Sequence, residues 1–271
     1  MSASTEFEIA LNSSGYPITR LTNFSGKTQR EINTKTYLLT LLRNGFGLDF
    51  ATFQSFLTTE KAILAGSAAL WLVSPWCQYQ EFDGDLDIWI QESDALSHLN
   101  YVAKPEHVYG YASYATYHPE RQALVKRLTN TFKEQGYQPV IRNGMFPDRN
   151  DYLSNVDPNF KYINTIYSFT REIIHRGIYN DPIKRTHKIQ VMLLSIPPVE
   201  MVRQFDITVT RCLYDGAKLK HFHGSDVNNK TFHMEGNCTD LKRKTKRIEK
   251  YERRGFEMIS VLVNPEIDIA L

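Results

Sequence analysis

Asp85 and Asp87 stand two residues apart in DLDIWI, an otherwise apolar stretch ending at Ile90. In a strand, residues i and i+2 point to the same face, with Cα atoms about 6.6 Å apart. Two carboxylates held that close repel each other unless something positive sits between them. A hard divalent cation such as magnesium meets the need, because it takes carboxylate oxygens at about 2.0–2.1 Å and keeps positions open for phosphate. Asp206, in QFDITV, is a third carboxylate in an alternating apolar frame. If its segment pairs beside the first, three carboxylates converge and can hold two metal ions about 3.5–4 Å apart. Magnesium or manganese is therefore the metal expected at Asp85, Asp87 and Asp206. The plain alternative is an Asp-x-Asp on the wet side of a half-buried sheet, the reading that suits Asp83 beside Gly84.

Upstream, AGSAAL places Gly66 and Ser67 between a short apolar run and a helical pattern. Glycine lets backbone approach a ligand closely at such a turn. Ser67 and the free amides of a first helical turn offer donors to a phosphate oxygen.

The elements that must position these groups can be read from periodicity. Asn33 can cap a helix with Leu38, Leu41 and Leu42 on one face, ending near Asn44-Gly45, and Asp49 can cap a second carrying Phe50, Phe53 and Leu57. Lys61 to Ala65 reads as a buried strand, and Ser67 to Ser74 as a helix stopped by Pro75. In the strand from Asp85 to Ile90, Leu86, Ile88 and Ile90 take one face, and Asp85, Asp87 and Trp89 the other. Glu120 to Gln135 reads as a helix with Leu124, Leu128 and Phe132 aligned. Strands are expected over Tyr162 to Phe169, Ile189 to Leu194 and Phe205 to Cys212, with a short helix opened by Pro198 before the last. The fold class that follows is α/β or α+β, around a sheet of unspecified strand order.

Strand, Gly-Ser, helix, then a strand with paired aspartates resembles the nucleotidyltransferase superfamily built on the polymerase-beta-like palm, in particular its small toxin-like and large-DNA-virus members. That pattern is Gly-Ser, then hydrophobic-Asp-hydrophobic-Asp-hydrophobic, then a single aspartate on a neighbouring strand. The resemblance covers residues 60–90 and 188–212; the seventeen residues between Ser67 and Asp85 are more than many compact members have. It implies a mixed-sheet palm with flanking helices and a large insertion, about residues 95–185, between the paired and third aspartates. It further implies an N-terminal arm over 1–32, a nucleotidyltransferase-like domain over 33–240, and a basic helix and tail over 241–271. By the same resemblance, metals at Asp85, Asp87 and Asp206 would move a nucleoside monophosphate from a nucleoside triphosphate, ATP being favoured, to a hydroxyl acceptor. Gly66 and Ser67 would bind the β and γ phosphates. A non-catalytic nucleotide- or RNA-binding module retaining the fold, and a metal-dependent phosphohydrolase, are the alternatives.

A formal charge of +2, from 32 Lys and Arg against 30 Asp and Glu, argues against coating nucleic acid with the whole surface but permits a local stripe. Lys242, Arg243, Lys244, Lys246, Arg247, Lys250, Arg253 and Arg254 form such a stripe, which could hold an RNA backbone or could be a solvated helix face paired with Glu249 and Glu252. Cys77, Cys212 and Cys238 are too scattered for a disulfide framework. No basic segment followed by an apolar run opens the chain and no apolar 18-mer interrupts it, so an intracellular protein without a membrane span is expected. His221, His223, His233 and Cys238 are zinc-ligand types in a spacing that matches no compact zinc pattern.

Overall fold

A computed structural model describes residues 9–11, 17–19, 36–74, 82–92, 119–140, 162–176, 182–235 and 241–262. The predicted cap at Asn33, the loop over 75–81, Cys77 and Cys238 lie outside these residues. Strands β1 (Ile9–Leu11) and β2 (Pro17–Thr19) form an antiparallel pair. The first helical segment widens into a π turn at Thr40–Gly45 that buries Leu41 and Leu42. Helix α1 (Phe50–Thr59) starts where the Asp49 side chain accepts the Thr52 N–H at 2.8 Å, satisfying one of the first turn's free donors.

Strand β3 (Ile63–Ala65) leads through Gly66 into α2 (Ser67–Val73), whose residues 67–72 are all buried. That helix is apolar all round because it is packed on every side. Strand β4 (Leu86–Gln91) alternates as its sequence requires. Leu86, Ile88 and Ile90 enter the larger core with Leu124, Leu128 and Phe132 of α3 (Pro119–Glu134). Trp89 enters a second core on the opposite sheet face, with Ile63, Ala65, Met192, Met201, Val202 and Leu213. Each fully buried Leu or Ile in these cores contributes roughly 1.5–3 kcal/mol of transfer free energy.

The main sheet continues with β5 (Gln138–Pro139), β6 (Ile163–Arg176), β7 (Pro182–Leu194), β8 (Cys212–Tyr214) and β9 (Leu219–His221). Its order is β5-β6-β7-β4-β3-β8-β9. Strand β4 runs parallel to β7 and antiparallel to β3, so the sheet is mixed. Strands β6 and β7 run well past the predicted ends at Phe169 and Ile189. Their extension alternates charged and hydroxyl residues with Ile173 and Ile174, a pattern with no continuous apolar face, and pairing with each other sustains it. Arg171 fastens the ribbon by donating to the carbonyls of Gly47 at 3.0 Å and Gln135 at 2.7 Å.

Helix α4 (Pro198–Arg203) covers the second core. The strand predicted over Phe205 to Cys212 is not formed. Asp206 lies in a bend, Ile207 makes an isolated bridge to Met234, and Thr208–Thr210 closes a 3-10 turn before β8 begins at Cys212. The Thr210 hydroxyl and backbone N–H both donate to the Ile207 carbonyl, and the Thr208 hydroxyl donates to buried Asp226 at 2.5 Å. Hydroxyls that bond locally draw the backbone away from a ladder. Residues 206–210 are buried on both parities, so their apolar alternation reflects enclosure and not a half-buried strand. Helix α5 (Gly224–Asn229) and β10 (Thr231–Glu235) follow. Helix α6 (Leu241–Arg253) then ends at Gly255, φ +85°, where the N–H groups of Gly255 and Phe256 return to the carbonyls of Glu252 and Tyr251. Strand β11 (Glu257–Leu262) lies parallel to β10.

Candidate active site

The antiparallel register sets Ala65 of β3 opposite Asp87 of β4, so the turn that leaves β3 stands beside the aspartate-bearing end of β4. Gly66 takes φ 70° and ψ −138°, a conformation that glycine alone adopts without strain. A Cβ built on Gly66 would lie 3.6 Å from Asp87 Oδ2 and 3.8 Å from the Phe205 ring. One built on Gly84 would lie 3.1 Å from Ser67 Oγ. The predicted phosphate turn, the loop before β4 and the Asp87 carboxylate therefore share one small volume. Ser67 is only 6% exposed, enclosed beneath that loop.

Strand β4 begins at Leu86, one residue after the predicted start at Asp85, and the surroundings of Asp85 and Asp87 oppose ionisation. The Asp87 carboxyl is pushed up to about 7, first by burial and then by the neighbouring charge of Asp85, against the pull of Lys250, Lys188 and Arg247. Burial also raises Asp85, with Lys188 and Lys250 opposing. Two carboxylates that would be stabilised by a cation, yet lack a full complement of charge, suit a metal-binding role.

The third aspartate arrives by a different route. Strand β8 pairs with β3, and the strand beside β4 is β7, which sets Gln190 opposite Asp87. Lys188 of β7 reaches to 3.9 Å from Asp85 Oδ2. Asp206 is 5% exposed and its Oδ2 accepts from Arg247 Nη1 at 2.5 Å. Arg247 also adds a weak electrostatic pull on Asp87, the last among those that oppose its burial. Among the described residues no group of three His, Cys, Asp or Glu side chains is disposed to hold a metal ion.

Helix α6 thus turns much of its basic stripe inward. Arg247, Lys250 and Arg254 follow one another at helical spacing around buried Tyr251. Arg247 takes Asp206, Lys250 lies in the field of Asp83, Asp85 and Asp87, and Arg254 bonds Asp83 at 2.6 Å while stacking near Phe82 and Tyr251. Burial lowers the Lys250 ammonium below its usual value, nearby Arg254 adds to this, and the three aspartates partly offset it. Ile248 and Tyr251, the apolar residues within the basic run, share a helix face with these cations and draw them toward the core. Lys246 and Arg253 remain exposed.

His223 and His233 are otherwise engaged. Arg211 Nη1 lies 3.0 Å from His223 Nε2, and since arginine only donates, that nitrogen accepts and the ring proton sits on Nδ1. His233 Nδ1 bonds Ser260 Oγ at 2.9 Å.

Compared with known proteins, the chain matches no family model, no curated protein and no solved structure. No helix among the described residues is long and apolar enough to cross a membrane.

Proposed function

We propose that the chain is a divalent-metal-dependent nucleotidyltransferase that moves a nucleoside monophosphate from a nucleoside triphosphate to a hydroxyl acceptor. The observation that carries the reading is the meeting of the Gly66 turn with the Asp87 carboxylate, 3.6 Å from where a Cβ would stand. The donor set of Asp85 and Asp87 fits magnesium or manganese, which are commonly held by one or two carboxylates together with substrate phosphates. Bound there, the metal supplies charge neutralisation as the transferred group departs.

Each residue has a role that follows from its position. Asp85 and Asp87 bind the metal, the Gly66 backbone and Ser67 hydroxyl line the path of the β and γ phosphates, and Lys250 and Lys188 add positive charge beside the carboxylates. In the reaction, the acceptor oxygen bonds to the α-phosphorus and the bond to the bridging oxygen breaks. Pyrophosphate leaves with that electron pair, and the hydroxyl proton passes to solvent. The acceptor is tested with RNA first, because Lys246 and Arg253 of α6 remain exposed for its backbone.

A second reading, a nucleotide-binding module without transfer, is favoured by the same α6 cations, which already supply charge to the carboxylates. Incubation with each labelled triphosphate, magnesium or manganese, and an RNA pool separates the readings by mass. Metal-dependent addition of a nucleoside monophosphate, lost in Asp87→Ala, supports transfer. Metal-dependent triphosphate binding without addition supports the module, hydrolysis alone indicates a phosphohydrolase, and binding unaffected by metal or by Asp87→Ala overturns the metal-site reading.

A further inference from the structure

The point where a Cβ would stand on Gly66 lies 3.6 Å from Asp87 Oδ2 and 3.8 Å from Phe205 Cε2. A carboxylate and an aromatic edge thus flank one place from two sides. The backbone of Phe205 is fastened at both ends. Its N–H donates to the Val202 carbonyl at 3.2 Å as α4 ends, and its carbonyl accepts from Arg211 Nε at 2.8 Å. Arg211 is fixed in turn by Glu235 and by His223 Nε2 at 3.0 Å. The Phe205 ring leans on Trp89, with centroids 5.3 Å apart and planes at 51°. Trp89 stands two residues beyond Asp87 on β4 and is buried in the second core, so it backs the ring. Phe205 itself stays partly exposed.

A phenylalanine ring brings neither charge nor a hydrogen-bond donor to a metal or a phosphate. It brings a flat apolar surface, on which another flat ring gains stacking energy. A ligand that uses both sides of this place carries anionic phosphate at one end and a planar ring at the other, which is the constitution of a nucleoside triphosphate. From this we infer that Phe205 is the stacking surface for the nucleobase, backed by Trp89 and set beside Asp87 by the Gly66 turn. It is then a specificity residue that selects nucleotides over bare polyphosphates. The inference rests on the nucleotide reading above and adds to it the place of the base.

Isothermal titration of the full chain with ATP and with inorganic tripolyphosphate, each with manganese present, tests it. The wild type should bind ATP more tightly than tripolyphosphate. Phe205→Leu, which keeps an apolar side chain against Trp89, should weaken ATP binding about tenfold and leave tripolyphosphate binding unchanged. Phe205→Tyr, which keeps the ring, should retain the wild-type affinity. Unchanged ATP binding in folded Phe205→Leu, equal losses for both ligands, or a loss in Phe205→Tyr equal to that in Phe205→Leu would overturn the inference and leave the metal-site reading intact. Tripolyphosphate bound as tightly as ATP by the wild type would do the same. A wild type that binds neither ligand would overturn both. Photolabelling of the wild type with 8-azidoadenosine triphosphate needs no variant, so it decides the matter even where Phe205→Leu fails to fold. The label should map to the peptide that carries Phe205, and a label confined to other peptides would overturn the inference.

Discussion

Replacing Asp87 with asparagine should stabilise the metal-free protein at alkaline pH, and the size of the gain follows from the site. The carboxyl is held near 7 against 3.8 in an unfolded chain, by burial first and the Asp85 charge second. Between these values the folded state keeps a proton that the unfolded state has lost, so fewer protons are bound on unfolding and stability falls as pH rises. At about 1.36 kcal/mol per pH unit, the full window corresponds to roughly 4 kcal/mol of destabilisation above pH 7. The side chain keeps some contact with solvent, and screening brings the expected figure to about 2 kcal/mol. Asparagine is close in shape and carries no charge, so it removes this burden. Urea denaturation with a chelator present should therefore show Asp87→Asn ahead of the wild type by about that amount at pH 8, with the gap closing toward pH 4. Adding magnesium or manganese at pH 8 should stabilise the wild type and leave the variant unmoved, because only a ligand that binds the folded state shifts the equilibrium. A variant no more stable than the wild type at pH 8, or a gap that does not change between pH 4 and 7, refutes the picture of a carboxylate strained by its surroundings.

Two further substitutions test the frame around the site. Gly66→Ala should lose about 1–3 kcal/mol in the same denaturation assay, since the added Cβ meets only ordinary contacts and the strain lies in the backbone at φ 70°; an unchanged midpoint would mean that the turn relaxes. Arg121→Met should lose about 3–5 kcal/mol, because it leaves the fully enclosed Glu92 carboxylate without its bidentate partner at 2.7 Å, holding only the Asn164 amide at 2.6 Å. A loss below about 1 kcal/mol would mean that water replaces the guanidinium on Glu92 in the variant.

Local chemistry was legible where one interaction decides the conformation. The Asp49 cap, the Gly66 turn and Pro198 at a first helical position each depend on a residue type suited to a single backbone state, and each stands where the pattern put it. The two faces of β4 were legible as well, because a period of two separates its cores so cleanly that Ile88 and Trp89 pack into different ones. Longer-range relations were not. The segment from Phe205 to Cys212 alternates like a strand, yet Thr208 and Thr210 bond locally and through Asp226, and burial on all sides removes the contrast that periodicity relies on. The far halves of β6 and β7 carry no apolar stripe, so pairing alone defines them.

The least legible feature is also the one on which the site turns. A run of lysines and arginines in a sequence indicates charge but not direction, and direction depends on what the helix packs against. Tyr251 is buried and its hydroxyl pushed up to about 12 by that burial, which fixes the rotation of α6 and brings Arg247, Lys250 and Arg254 to the carboxylates. The repulsion between Asp85 and Asp87, which from the sequence calls for a cation, is therefore met in part by side chains of the chain itself. Those side chains do not meet it in full, since Asp87 still resists ionisation with all of them in place. Under the proposed function, a metal and its nucleotide would meet the repulsion that remains, beside a glycine turn that stands next to the Asp87 carboxylate.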